Sequence, residues 1–177
     1  MKLDVTIVIL SYCHAGLVKQ LLKLLAEFKL PFVLETIVVD NASPTKSALA
    51  LAAQFPEVKF IGANRNAGYA AGNNIGIKAA TGEYVLILNP DVAPSVDSIQ
   101  QLYQFMQQHP NAGIAGPKLT NADGTYQLSC AKFPDWRLPL FRRTWMGRPN
   151  VGKAWLDNVY MRQWDHADAK QIDWLFG

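Results

Sequence analysis

The sequence predicts an α/β protein with a doubly wound, mostly parallel sheet carrying helices on both faces. Three observations lead there. Short β-rich apolar runs alternate with segments of helical period in the order β-α-β-α-β-α-β-α-β, followed by a hairpin pattern. Three of the strand runs stop abruptly in polar residues, at Ser11-Tyr12, Asp40-Asn41 and Asn89-Pro90-Asp91. The run from Tyr84 to Leu88 is apolar at successive positions, the pattern of a central parallel strand buried on both faces.

Each element has its own local cause. Val5 to Leu10 is the first strand, and Leu17, Leu21, Leu24, Leu25 and Phe28 recur at helical spacing until Pro31. Glu35 to Val39 is the second strand. Ser43 suits a helix N-cap with Pro44 at the first helical position, which predicts a helix over Thr45–Phe55. Val58 to Ile61 is a third short strand. Tyr69 to Ala80 reads as a helix of small residues, with Gly72 and Gly76 on one face. Each glycine costs about 1 kcal/mol inside a helix, so the pair points to close backbone approach. Ser95 caps a helix carrying Ile99, Leu102, Phe105 and Met106, which ends at His109-Pro110. Gly113 to Pro117 reads as a strand, and Lys118 to Cys130 as a hairpin turning at Asp123-Gly124. From Phe133 to Asp173 the pattern lapses into prolines, five arginines and four of the five tryptophans, with no long helix or strand expected. Ile172 to Phe176 starts one more strand.

Composition narrows the function classes. Half of the residues are hydrophobic and 18% are charged, so the chain folds around a core. No apolar run reaches the roughly 18 residues of a membrane-spanning helix. The N-terminal MKLDVTIVIL reads as a first strand and not as a signal peptide. Cys13 and Cys130 are expected as reduced thiols, and His14, His109 and His166 as surface residues without metal-ligand spacing. A net charge of +3 is too small to argue for nucleic acid. It is uneven, with eight Lys/Arg against four Asp between Lys132 and Lys170, and this basic, aromatic stretch suits an anionic membrane surface.

The polar strand ends converge on one edge of a parallel sheet, where open α/β folds bind ligands. There Tyr12 can stack on a flat base. Asp40 accepts hydrogen bonds only and fits a ring N–H of uracil, thymine or guanine. Asp91 can hold a divalent cation against a diphosphate, and Arg65 can meet the phosphates. Each also has a structural reading: Asp40 as an Asx-turn before Ser43-Pro44, Asp91 as a turn residue before Pro94, Tyr12 as partial core and Arg65 as a solvated loop residue. No G-x-G-x-x-G follows the first strand and no P-loop pattern is present. A phosphoacceptor receiver domain needs an acidic pair where this chain has Ser11-Tyr12-Cys13.

Together, VTIVILSY at 5–12, IVVDNAS at 37–43, NRNAGYAAGNNIGIKAATGEYVLILNPD at 64–91 and HPNAGIAGPKLTNADGT at 109–125 resemble the family 2 glycosyltransferases of GT-A fold. They are most similar to the rhamnosyltransferase-like branch that builds bacterial surface polysaccharides. The resemblance implies a nucleotide-diphospho-sugar donor, dTDP- or UDP-linked, with L-rhamnose as the branch's usual sugar. By it, Ser11 and Tyr12 lie at the nucleoside, Asp40 and Asn41 at the base, and Arg65 and Gly68 near the phosphates. Asn89-Pro90-Asp91 matches the family's D-x-D metal motif, with Asn89 in the first place counted among the donor nucleotide-binding residues and Asp91 left to bind Mg²⁺ or Mn²⁺. The implied chemistry is inverting transfer to a glycan or polyprenyl-diphosphate-linked acceptor, at the cytoplasmic face of the plasma membrane with peripheral contact to it.

The family's general base lies in an acidic E-D motif beyond the segment resembling Ile172–Gly177. Asp165, Asp168 and Asp173 do not match it, and no catalytic base is assigned. The expectation is therefore a nucleotide-sugar-binding core at 1–131, then a Trp/Arg-rich segment at 132–177 that opens the acceptor side, the chain being truncated there. The alternatives are a non-catalytic nucleotide-sugar-binding remnant and a sugar-phosphate nucleotidyltransferase. The latter class carries a glycine-rich basic loop where this chain has Cys13-His14-Ala15-Gly16.

Overall fold

The computed structural model describes residues 3–133, 135–136 and 150–175, in two compact units, Met1–Ala112 and Gly113–Gly177. The first unit runs β1 (Val5–Ser11), α1 (Ala15–Ala26), β2 (Leu34–Asp40), a 3₁₀ turn (Leu49–Leu51), β3 (Lys59–Gly62), α2 (Tyr69–Ala79), β4 (Tyr84–Ile87) and α3 (Val96–Gln108). Its sheet has the order β3-β2-β1-β4 with every pair parallel.

Alternation along β1 sorts the two faces. Ile7 and Ile9, with Val38 of β2, pack in a core with Val18, Leu21, Leu22 and Leu25 of α1, Phe55, and Ile99 of α3. Burying each valine, leucine or isoleucine there stabilises by about 1.5–3 kcal/mol. On the other face, Val8, Leu10 and Val39 lie under α2, whose Gly72 and Gly76 leave room for them. Ser95 caps α3 by a capping box with Ser98, as its sequence position predicts.

Several expectations are corrected. The helix predicted over Thr45–Phe55 is only a 3₁₀ turn at Leu49–Leu51, because Lys46 sits at φ 47°, a left-handed conformation that a right-handed helix cannot continue through. The run at Tyr84–Leu88 is not a central strand. β4 pairs with β1 alone, no further strand flanks it among the described residues, and Val85 and Ile87 are 39% and 44% exposed. Gly113–Pro117 forms no strand, as no ladder partner meets it among the described residues.

In the second unit, β5 (Leu119–Thr120) and β6 (Tyr126–Gln127) form the predicted hairpin. Asp123 Oδ1 holds its turn, accepting from Thr125 N at 2.9 Å and Oγ1 at 2.6 Å, while Gly124 takes φ 82°. β7 (Cys130–Ala131) pairs antiparallel with β8 (Trp174–Leu175), the strand expected near Ile172–Phe176. The stretch expected to lack a helix contains α4 (Asn150–Val159), where Val151, Trp155 and Val159 recur every fourth residue. Lys132 ties β7 to α4, through its N–H to the Val159 carbonyl and its Nζ to Asn158 Oδ1, both at 2.8 Å. His166 is not a plain surface residue, since its ring packs between Tyr126 and Trp164 at centroid distances of 4.0 and 3.9 Å. Burial and the nearby Lys118 charge hold its pKa below the ordinary value. The tryptophan- and arginine-bearing run at 137–149 lies outside the described residues.

Candidate functional site

The ends of β1, β2 and β4 open on one edge, and the strand order reverses between β1 and β4. That combination defines the crevice where doubly wound sheets take ligands. Ser11 and Asp40 are register partners at that edge, and Asn41 N donates to the Ser11 carbonyl at 2.8 Å. Asp40 Oδ1 accepts from Ser43 N at 2.7 Å, and Ser43 Oγ accepts from Cys13 N at 2.9 Å. Ser43 thus bridges the loops after β1 and β2. Both loops carry left-handed non-glycine residues, Cys13 at φ 62° and Ala42 at φ 59°, each a strain of order 1–3 kcal/mol. Strain of this kind concentrates at ligand sites.

The loop before α2 closes the other side. Asn41 Nδ2 donates to Asn66 Oδ1 at 3.0 Å and to the Gly68 carbonyl at 3.4 Å. Gly68 N also donates to Asn66 Oδ1 at 3.0 Å. Gly68 takes φ 88°, which a side chain would strain, and Gly72 brings α2 against Leu10 and Asn41. Asn73 Nδ2 donates back to the Tyr69 carbonyl. Four buried side-chain oxygens at this end of the sheet have no hydrogen-bond partner: Ser11 Oγ, Asp40 Oδ2, Asn41 Oδ1 and Asn73 Oδ1. Leaving such acceptors unmade costs about 1–3 kcal/mol each, so their accumulation in one place calls for a ligand-related reason.

After β4, Asn89 Oδ1 accepts from the Tyr69 hydroxyl at 2.9 Å. Asp91 is exposed and lines a cleft of about 150 Å³ with Pro90, Val92 and Ala93 and with Leu17, Gln20, Leu21 and Leu24 of α1. No group of three or more His, Cys, Asp or Glu able to hold a metal occurs among the described residues. A single carboxylate fits a divalent cation whose other oxygens come from a diphosphate, the usual way such ions bridge protein and nucleotide. The residues present therefore fit a metal carried with a phosphorylated ligand, and do not build a closed protein cage.

The predicted residues divide accordingly. Ser11, Asp40, Asn41 and Gly68 belong to one hydrogen-bonded neighbourhood, while Tyr12 is 44% exposed just beyond it. Asn89 joins that neighbourhood through Tyr69, at the start of α2. Asp91 lies toward α1. Arg65 is exposed and has no carboxylate partner among the described residues. Asp40 is 1% exposed, with Oδ1 committed to the turn and Oδ2 without a partner. Ser43, Asn66 and Tyr69 were not foreseen as parts of the site. For Tyr69 a signal existed, as it precedes Asn73 by one helical turn on the side of the glycine pair.

The parallel sheet between two helical layers is the architecture of the GT-A glycosyltransferases. Among solved structures of that fold, the chain is similar to Staphylococcus aureus TarS 1–349 in complex with UDP-GlcNAc, at TM-score 0.54 and 20% identity, over 69% of this chain and 42% of the other. It is also similar to the mannosyltransferase PcManGT from Pyrobaculum calidifontis in complex with GDP-Man and Mn²⁺, at TM-score 0.51 and 23% identity, over 80% and 39%. The chain belongs to glycosyl transferase family 2, whose model matches residues 6–160. Its relatives include the low-salt glycan biosynthesis hexosyltransferase Agl10 of Haloferax volcanii, 32% identical over 68% of this chain and 38% of the relative. Another is the N-acetylglucosaminyl-diphospho-decaprenol L-rhamnosyltransferase of Mycobacterium tuberculosis, 28% identical over 55% and 36%. The chain thus spans well under half the length of the curated relatives it matches. Among the described residues no helix is long and apolar enough to cross a membrane.

Proposed function

We propose that this chain carries the donor site of a hexosyltransferase that makes a surface glycan, taking a dTDP- or UDP-sugar, with L-rhamnose the preferred sugar. The observation that carries the reading is the set of unpartnered buried oxygens of Ser11, Asp40, Asn41 and Asn73, at the carboxyl ends of β1 and β2 and on the α2 packed over them. Acceptors without donors suit the N–H and hydroxyl groups of a nucleoside. In this reading Tyr12 stacks on the base, Asp40 Oδ2 and Asn41 accept from the nucleoside, and Arg65 with the backbone at Gly68 faces the diphosphate. Asp91 holds Mg²⁺ or Mn²⁺ against the same phosphates, and the cation supplies charge neutralisation of the leaving diphosphate. Transfer is inverting, to a glycan or polyprenyl-diphosphate-linked acceptor at the cytoplasmic face of the plasma membrane, with residues 1–131 as donor core and 132–177 leading to the acceptor side. Support comes from the family match, from the diphospho-decaprenol named for one relative, and from the nucleotide sugars named for two neighbours.

The test is calorimetric titration of the chain with dTDP, UDP and GDP, each with Mn²⁺ and with EDTA, beside Asp91→Ala. The reading expects binding of a pyrimidine diphosphate that Mn²⁺ strengthens at least tenfold, about 1.4 kcal/mol, with that increment lost in the variant. Absence of binding by all three nucleotides removes the reading. A manganese increment that survives in Asp91→Ala removes the metal assignment alone.

A further inference from the structure

The loops after β1 and β2 leave the sheet side by side and meet at one buried residue. The ladder between the two strands ends where Asn41 N donates to the Ser11 carbonyl at 2.8 Å. Beyond it, Cys13 N donates to Ser43 Oγ at 2.9 Å, and Ser43 N donates to Asp40 Oδ1 at 2.7 Å. A peptide N–H can only donate, so the atoms themselves fix the sense of both bonds. Ser43 is 3% exposed, whereas Tyr12 and Cys13 stand in the open. Cys13 takes φ 62°, and Ala42, next to Ser43, takes φ 59°. Residues with a Cβ keep such left-handed conformations when their surroundings impose them.

We propose that Ser43 is a positioning residue for the nucleotide base. Its hydroxyl keeps Cys13 in the left-handed conformation and so holds Tyr12 in place beside the Asp40 carboxylate. The proposal rests on the donor-site reading above. The backbone N–H and the hydroxyl of Ser43 act separately. The N–H engages Asp40 Oδ1 and leaves Oδ2 without a partner. The hydroxyl ties the facing loop to the same residue, so one buried side chain sets the spacing between the two walls of the base site. Ser43 touches neither base nor phosphate in this account, and the diphosphate and its cation, assigned to Arg65, Gly68 and Asp91, do not depend on it.

Two kinds of measurement test it. The first needs no variant. In hydrogen exchange of the native chain the Cys13 amide is protected, although the residue is exposed, and saturating UDP slows it further. Exchange at the rate of a free peptide, or no response to bound UDP, overturns the proposal, and this holds even if a Ser43 variant does not fold. The second is calorimetry with UMP and UDP, each in EDTA and in Mn²⁺. Ser43→Ala retains the backbone bond to Asp40 and removes only the acceptor for Cys13. It weakens both nucleotides about 3- to 10-fold, the loss expected for one oriented hydrogen bond, and leaves the manganese increment of UDP as it was. A loss seen with UDP but not UMP, or only with Mn²⁺ present, places the effect at the phosphates and overturns the proposal.

A rescue separates positioning from packing. Glycine adopts positive φ without the penalty of a Cβ, so Cys13→Gly in the Ser43→Ala background recovers affinity by about twofold or more, whereas Cys13→Ala in that background does not. Equal affinities of the two double variants mean that Ser43 acts by packing alone, and the proposal falls. If the native chain binds neither nucleotide, the donor-site reading falls and takes this proposal with it. If it binds both and Ser43→Ala binds them as tightly, only this proposal falls.

Discussion

At the scale of single residues, Asp40 shows how two readings of one side chain coexist. Its position at the end of IVVDNAS made it legible both as a turn cap and as an acceptor for a base. Oδ1 caps the turn through Ser43 N, and Oδ2 has no partner. The two roles separate by substitution. Asp40→Ala leaves the buried Ser43 N–H without its acceptor and is expected to destabilise the chain by about 1–3 kcal/mol in urea denaturation. Asp40→Asn retains an acceptor for Ser43 and is expected to fold with a smaller loss, yet to weaken dTDP or UDP binding several-fold in calorimetry. Unaltered binding by Asp40→Asn would confine the residue to capping. The burial of this carboxylate was not legible; Ser43, which donates to it, also accepts from Cys13 N, an encounter between loops 30 residues apart.

At the scale of elements, α2 was read correctly as a helix in close approach, and the reason is measurable. A Cβ on Gly72 would stand 2.5 Å from the end of the Leu10 side chain, which can swing aside. A Cβ on Gly76 would strike Val8 Cγ1, and Val8 is β-branched, fully buried in the middle of β1 and unable to move. Alanine adds up to about 1 kcal/mol of helix propensity at either position. We expect Gly76→Ala to destabilise by a net 1–2 kcal/mol or so, since overpacking of about 1–3 kcal/mol outweighs that gain, and Gly72→Ala to lie near neutral. Equal midpoints for the two variants in urea would contradict this account of the interface. The segment at 45–55 failed as a helix for a different reason. Its capping signal was sound, but the left-handed backbone at Lys46 is set by the turn that Asp40 and Ser43 build, and no helical period reveals that.

At the scale of the whole molecule, the sheet is joined at its opposite end by Glu35. Oε2 accepts from Thr6 Oγ1 at 2.7 Å and from Thr81 N and Oγ1 at 3.1 Å each, while Thr6 Oγ1 accepts from Gly82 N at 2.9 Å. Burial alone would raise the Glu35 pKa; the Thr6 and Thr81 hydrogen bonds and the Lys59 charge outweigh it and hold the pKa below the ordinary 4.5. A group whose folded pKa is depressed contributes stability above its unfolded pKa and loses it as pH falls through the folded one. Glu35→Gln is therefore expected to be less stable than the native chain at pH 7, with the difference shrinking as pH drops below 4.5. Thermal denaturation across pH checks this, and a difference that stays constant into acid would exclude ionisation as its source.

What the chain determined by itself is local and periodic: the alternation of strands and helices, the Ser95 cap, the Asp123-Gly124 turn, and the motifs that place it in its family. These follow from backbone preferences and from periods of two and 3.6 residues, which neighbours in sequence impose on one another. Only the tertiary structure decided that β4 flanks the sheet, that Asp40 is buried, and that Tyr69 meets Asn89 from 20 residues away. Those outcomes depend on strand order, register and side-chain reach across elements. A short stretch carries no record of which distant partner will be present to meet it.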